Sequence, residues 1–196
     1  CGVNQGDVLL VHSSLRRVLR AHEVMPKAVM ESFLEAVGAA GTMLFPLFNF
    51  DFTKGTPFDI RNTPSQMGAL TEAARTYPNA VRSGHPIYSF AAIGAQADRF
   101  NVDNFSGYGP DSPFAVLREL NGKIGVLDLP DQHSMTFYHH VEEMHDVPYR
   151  FHKTFTGQYT DFEGNTTDRE YGLFVRDIEK GVKTDVNPMG EILWEK

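Results

Sequence analysis

Short apolar runs rich in branched residues recur along this chain, each followed by a segment with helical spacing, and that alternation restricts the fold more than any other feature. Asp7 to His12 (DVLLVH) reads as a buried strand. Pro26 to Val37 carries Val29, Phe33, Ala36 and Val37 at helical spacing, and Gly38 and Gly41 end that helix. Thr42 to Phe48 is a second apolar strand. Thr63-Pro64-Ser65-Gln66 has the form of a capping box and is expected to open the next helix, which Pro78 closes. Ile87 to Ile93 reads as a strand, Ser112-Pro113 starts a helix reaching Asn121-Gly122, and Lys123 to Leu129 is a strand again. A helix from His133 or Ser134 to His145 stops before Pro148. Four alternations predict an α/β layered domain.

Beyond Tyr149 the pattern changes. Thr154 to Tyr159 and Glu170 to Val175 flank an acidic turn, Asp161 to Asn165, and predict an antiparallel hairpin. Residues 150–180 are therefore expected to be a hairpin or lid extension of a single domain spanning 1–196. The lack of an initial Met and the stop at Trp194-Glu195-Lys196 lead to the expectation of truncation at one or both ends.

Composition narrows the classes of partner. The net charge of −7 is uneven, +1 over residues 1–100 and −8 over residues 101–196. An acidic half repels nucleic acid and attracts cationic ligands, and it also fits a plain acidic surface. The single cysteine, Cys1, allows no intrachain disulfide and no thiolate zinc site. No apolar run approaches the roughly 18–20 residues of a membrane span, and no signal peptide is visible. The expectation is a soluble, cytoplasmic protein without nucleic-acid or membrane partners.

The densest polar cluster is HSMTFYHHVEEMH, His133 to His145. On a helix His139 and Glu142 stand at i and i+3, so imidazole and carboxylate can touch and form a general-base unit. His140 and Glu143 repeat the spacing about 100° around the helix, and only one pair can face a given pocket. The same residues also fit an exposed charged face. The H-E-x-x-H motif is absent and Glu-x-x-His occurs once, Glu142 to His145, so no metal is expected. The stretch Ser106 to Pro113 leads into a helix N-terminus that suits either an anion or a simple Ser cap. His12-Ser13-Ser14 lies at a strand's C-terminal end, where α/β sheets place ligands. A hydrolase using Ser13 or Ser14 lacks its G-x-S-x-G motif. Asp51 follows the second strand, and Arg82-Ser83-Gly84-His85-Pro86 precedes the third as an entry turn.

Six segments, in order, resemble the aminoglycoside 3-N-acetyltransferase family. They are GDVLLVHSSL, GTMLFPLFNFDF, FDIRNTPSQMGALTE, RSGHPIYSFAAIG, DSPFAVL, and TFYHHVEE with VPYR, together covering Gly2 to Arg150. The resemblance implies a three-layer α/β/α domain with a mixed sheet. It also implies acyl transfer from acetyl-CoA or another acyl-CoA to an amine of an amino sugar or aminoglycoside, directly within a ternary complex. His139 matches the family's catalytic histidine, Glu142 its carboxylate partner, and His85 would line the same site. Ser13, Ser14, Leu15, Ser112, Pro113 and Phe114 would hold the acyl-CoA, while Asp51 and Glu143 would face the acceptor. Thr136 or a backbone amide would stabilise the oxyanion. The wording around DQHSMTFYHHVEE is also similar to nucleotide-linked amino-sugar N-acyltransferases of surface-polysaccharide pathways, whose diphosphate would want Arg150 and Lys153. A non-catalytic CoA-binding member is the remaining alternative, and a homodimer is a further expectation.

Overall fold

In the first apolar run Leu9, Leu10 and Val11 are almost wholly buried, as a central strand requires. A computed structural model describes residues 2–186, 189, 190 and 192. The Trp194-Glu195-Lys196 end lies outside them. In chain order the elements are β1 (Val8–Ser13), α1 (Arg16–His22), α2 (Pro26–Val37), β2 (Thr42–Pro46), β3 (Phe58–Asp59), α3 (Ala69–Arg75), β4 (Val81–Arg82) and β5 (Phe90–Gly94). They continue with α4 (Pro113–Glu119), β6 (Lys123–Leu127), α5 (Phe137–Met144), β7 (Arg150–Thr160) and β8 (Thr166–Arg176).

Five strands form a mixed sheet in the order β4-β5-β2-β1-β6. β1 pairs in parallel with β2 and β6, whereas β5 runs antiparallel to both β2 and β4. Successive side chains point to opposite faces, so β1 divides its apolar residues between two cores. Leu9 and Val11 join Met43 and Phe45 under α2 and α3, represented by Met30, Val37, Leu70 and Ala74. Val8 and Leu10 join Leu44, Phe90 and Ala92 on the other face, beneath Phe114 and Leu117 of α4. That second core extends into a separate sheet, β3-β7-β8, through Tyr159, Tyr171, Leu173 and Phe174. The α/β layering and the C-terminal antiparallel hairpin both match expectation.

Several boundaries differ, each for a local reason. The capping-box segment opens no helix, because α3 begins only after Gly68, whose φ is +116°. The Thr63 hydroxyl instead accepts from the Asp59 amide at 2.8 Å, and Ser65 Oγ accepts from Met67 N at 3.1 Å. Regular β5 starts at Phe90 because the amides of Ile87 and Tyr88 turn inward to His85 Nδ1. A 3₁₀ turn, Asp131–His133, occupies the expected start of the helix that becomes α5. α1 has no buried residue and so no apolar periodicity to betray it. The hairpin is longer than its apolar signal, pairing without interruption from Arg150↔Arg176 to Thr160↔Thr166.

Candidate active site

α5 presents its two adjacent histidines to different surroundings. His140 is buried, with Nδ1 2.7 Å from the Tyr108 carbonyl oxygen and its ring stacked near Phe114. One residue earlier the helix turns His139 outward, where its side chain is 22% exposed and its ring lies 5.1 Å from that of Tyr108. His139 Nδ1 and Glu142 Oε2 are 2.8 Å apart, as the i,i+3 spacing predicts.

A third group completes the arrangement. Arg150, at the start of β7, has a nearly buried guanidinium, 5% exposed. Its Nη2 lies 2.8 Å from His139 Nδ1, and its Nη1 donates to the Phe174 carbonyl of β8 at 2.9 Å. Its Nε forms an ion pair with Glu142 Oε2 at 2.8 Å, off the line of a hydrogen bond. Burial pushes the Glu142 carboxyl up, but the hydrogen bond to His139 and the charge of Arg150 outweigh it, holding the group below its usual value. The role expected for Arg150 in a diphosphate site is not met, since its cation is committed inside the protein. Lys153 is exposed, with Nζ 5.4 Å from the centre of the Phe155 ring.

This trio borders a cavity of about 480 Å³, whose wall includes Val141, Val147, Val182 and Val186 together with Tyr149 and Asp185. A smaller cavity of about 120 Å³ also touches His139, and its lining includes Asp131, His133 and Thr136. Asp131 follows β6, whose Leu127 pairs with Ser13 at the end of β1. The site therefore adjoins the C-terminal ends of parallel strands, the usual ligand position in such sheets.

The other candidates are dispersed. Ser13 and Ser14 are half-buried at the end of β1, and Ser14 N donates to the Leu127 carbonyl at 2.8 Å. The side chain of Leu15 belongs to the core beneath α2, leaving only its backbone for a ligand. Ser112 is fully buried, and its hydroxyl accepts from Ala115 N at 3.4 Å as the cap of α4. Pro113 and Phe114 are core residues, so direct side-chain contact with an acyl-CoA is not available to this trio. His85 is also wholly buried. Its Nδ1 accepts from Ile87 N at 3.2 Å and Tyr88 N at 3.0 Å, while Nε2–H donates to the Gly172 carbonyl at 3.3 Å. With both nitrogens occupied by backbone, and burial pushing its pKa down to about 4, His85 braces the turn.

Asp51 stands at the C-terminal end of the β2 region, receiving Gln66 Nε2 at 2.8 Å and Lys54 Nζ at 3.0 Å. Glu143 is half-buried and accepts from Ser106 Oγ at 2.8 Å. Burial raises its carboxyl, against the opposing effect of that hydrogen bond. It faces the Ser106–Gly109 loop, whereas Glu142 lines the cavity. Among the described residues no group of three or more His, Cys, Asp or Glu is placed to hold a metal ion. Nor is any described helix long and apolar enough to cross a membrane.

Known proteins share this arrangement of sequence and fold. The chain is 36% identical over 152 residues to aminoglycoside N(3)-acetyltransferase IV of Salmonella, an alignment covering 76% of this chain and 56% of that protein. It thus spans less than two thirds of the length of the curated relatives it matches. AAC-IIIb in its binary complex with CoASH superposes with a TM-score of 0.81 at 27% identity, covering 99% of this chain and 79% of the other. AAC-VIa bound to sisomicin gives 0.82 at 25% identity, covering 100% and 80%. The family profile of aminoglycoside 3-N-acetyltransferases matches residues 10–195, and the chain belongs to that family.

Proposed function

We propose that this protein transfers an acyl group from acetyl-CoA, or another acyl-CoA, to an amine of an aminoglycoside. The observation that carries the reading is the His139–Glu142 pair, 2.8 Å apart on the wall of a cavity of about 480 Å³. An amino group that arrives protonated has no lone pair and first releases that proton to solvent, and the neutral amine must then lose a second proton as it attacks. With Nδ1–H donated to Glu142, the Nε2 lone pair of His139 is the one left to accept that proton. The amine nitrogen forms a bond to the thioester carbonyl carbon, and the carbonyl electrons move onto oxygen. Collapse of the tetrahedral intermediate breaks the C–S bond, and the departing thiolate takes the proton held by His139. Glu142 stabilises the imidazolium between those two transfers.

Thr136 borders the small cavity beside His139 and is our candidate oxyanion donor. The apolar wall at Val141, Val147, Val182 and Val186 suits a pantetheine arm, and Ser13 and Ser14 stand at the same end of the sheet. The CoASH and sisomicin complexes of the similar proteins support the two substrate classes. The acidic half of the chain, −8 over residues 101–196, would attract a polycation. Acyl-CoA chemistry in turn suits the cytoplasm, the compartment we assign.

Free-thiol release from acetyl-CoA tests the proposal, with an aminoglycoside panel and a nucleotide amino-sugar panel run in parallel. Release with aminoglycosides is expected. Release only with nucleotide amino sugars would replace the acceptor, and silence with no CoA binding would overturn the reading.

A further inference from the structure

The trio at the cavity wall contains one group that the acyl-transfer chemistry does not itself require. We infer that Arg150 is a positioning residue that acts through Glu142, holding its carboxylate ionised and aimed at His139 Nδ1 by bridging α5 to the hairpin. This rests on the reading of His139 as the base.

The geometry is that of a clamp. Nε of the guanidinium lies 2.8 Å from Glu142 Oε2, and Nη1 is fixed to the Phe174 carbonyl at 2.9 Å. A carboxylate only 20% exposed loses hydration, and a cation in contact is the cheapest way to keep it charged. Arg suits this better than Lys, because its planar guanidinium reaches the Glu142 carboxylate and the Phe174 carbonyl at once. The other charged groups around Glu142 do not replace it. Tyr149 faces the carboxylate as a neutral hydroxyl, its ionisation pushed up by burial. Arg176, Lys183 and Asp185 also line the cavity, and Arg176 Nη1 donates to Thr184 Oγ1 at 3.1 Å. Among the described residues Arg150 is the one cation besides His139 in ionic contact with Glu142.

The test uses 13C-labelled protein and follows the Glu142 side-chain carboxyl resonance against pH in wild type, Arg150→Gln and Arg150→Lys. We expect wild-type Glu142 to titrate below the ordinary glutamate value, and R150Q to raise its midpoint by about one unit or more. R150K restores most of that shift. In thiol-release assays R150Q lowers kcat about 10–100-fold with little change in KM for acyl-CoA, and R150K recovers part of the loss. A role confined to holding the hairpin would lower the melting temperature while leaving the Glu142 midpoint unmoved, and that result would overturn the inference. If R150Q does not fold, the wild type still decides, since a Glu142 midpoint at or above the ordinary value contradicts the clamp. The titration needs no substrate. A shifted midpoint in an enzyme without acyl transfer would leave the clamp standing and remove the functional reading instead.

Discussion

Four histidines in this protein show how surroundings decide what one residue type can do. His139, partly exposed beside Glu142, borders the cavity and is the residue we propose as the base. His12 and His85 are buried, which pushes each down to about 4 and keeps it neutral at pH 7. His140 spends Nδ1 on a backbone carbonyl within the core. The sign of the pH effect follows from the two depressed groups. Unfolded chains take up those protons near pH 6.5, whereas the folded state resists until about pH 4. Their contribution to stability is therefore complete above pH 6.5 and is lost as pH falls toward 4, on the order of 2–3 kcal/mol for each. Urea unfolding at pH 7 and pH 5 should show the loss in wild type and a smaller one in His85→Gln, and equal losses in the two would contradict the assignment. At this scale the His139–Glu142 pair was legible because helical spacing alone brings i and i+3 together. Arg150 was legible only as a charge, because its contact depends on a chain reversal between α5 and β7. His85 was misjudged for a similar reason, since a motif names a residue without showing which backbone groups surround it.

Among the elements, legibility follows the hydrophobic pattern. β1 and β2 announced themselves through buried runs, β6 through a short apolar run that the fold leaves half-buried at the sheet edge, and α2 through a one-sided apolar stripe. α1, with its exposed arginines, offered no such stripe, and the capping-box signal lost to a competing turn stapled by Thr63. The hairpin is part of the core. Phe174 is 1% exposed, and truncating such a phenylalanine usually costs 3–5 kcal/mol. Phe174→Ala should lower stability by about that amount, and a change under 1 kcal/mol in chemical denaturation would contradict the packing. The sheet has its own sensitive point at Gly94, where φ is +128° and a Cβ would run into the Gly41 carbonyl oxygen and the Thr42 backbone. Gly94→Ala is expected to destabilise by about 2–4 kcal/mol through strain at the β2–β5 pairing. An unchanged melting temperature would show that the two strands can separate there without cost.

For the whole molecule, the mixed sheet brings the ends of β1 and β6 to one side, and α5 and the hairpin close around the cavity there. Layering, strand order and the second sheet are long-range properties. The alternation of segments implied the first, while the other two needed pairings between residues far apart in the chain, such as Phe58 with Tyr159. The family assignment supplies the chemical context, and the account's central claim is that His139 is the base in acyl-CoA-dependent N-acylation. The most direct measurement compares thiol release by wild type and His139→Ala, with acetyl-CoA and an aminoglycoside acceptor, alongside acetyl-CoA binding to both. The account predicts that the variant loses at least about 100-fold in kcat while binding acetyl-CoA as wild type does. Turnover within a few-fold of wild type would contradict it.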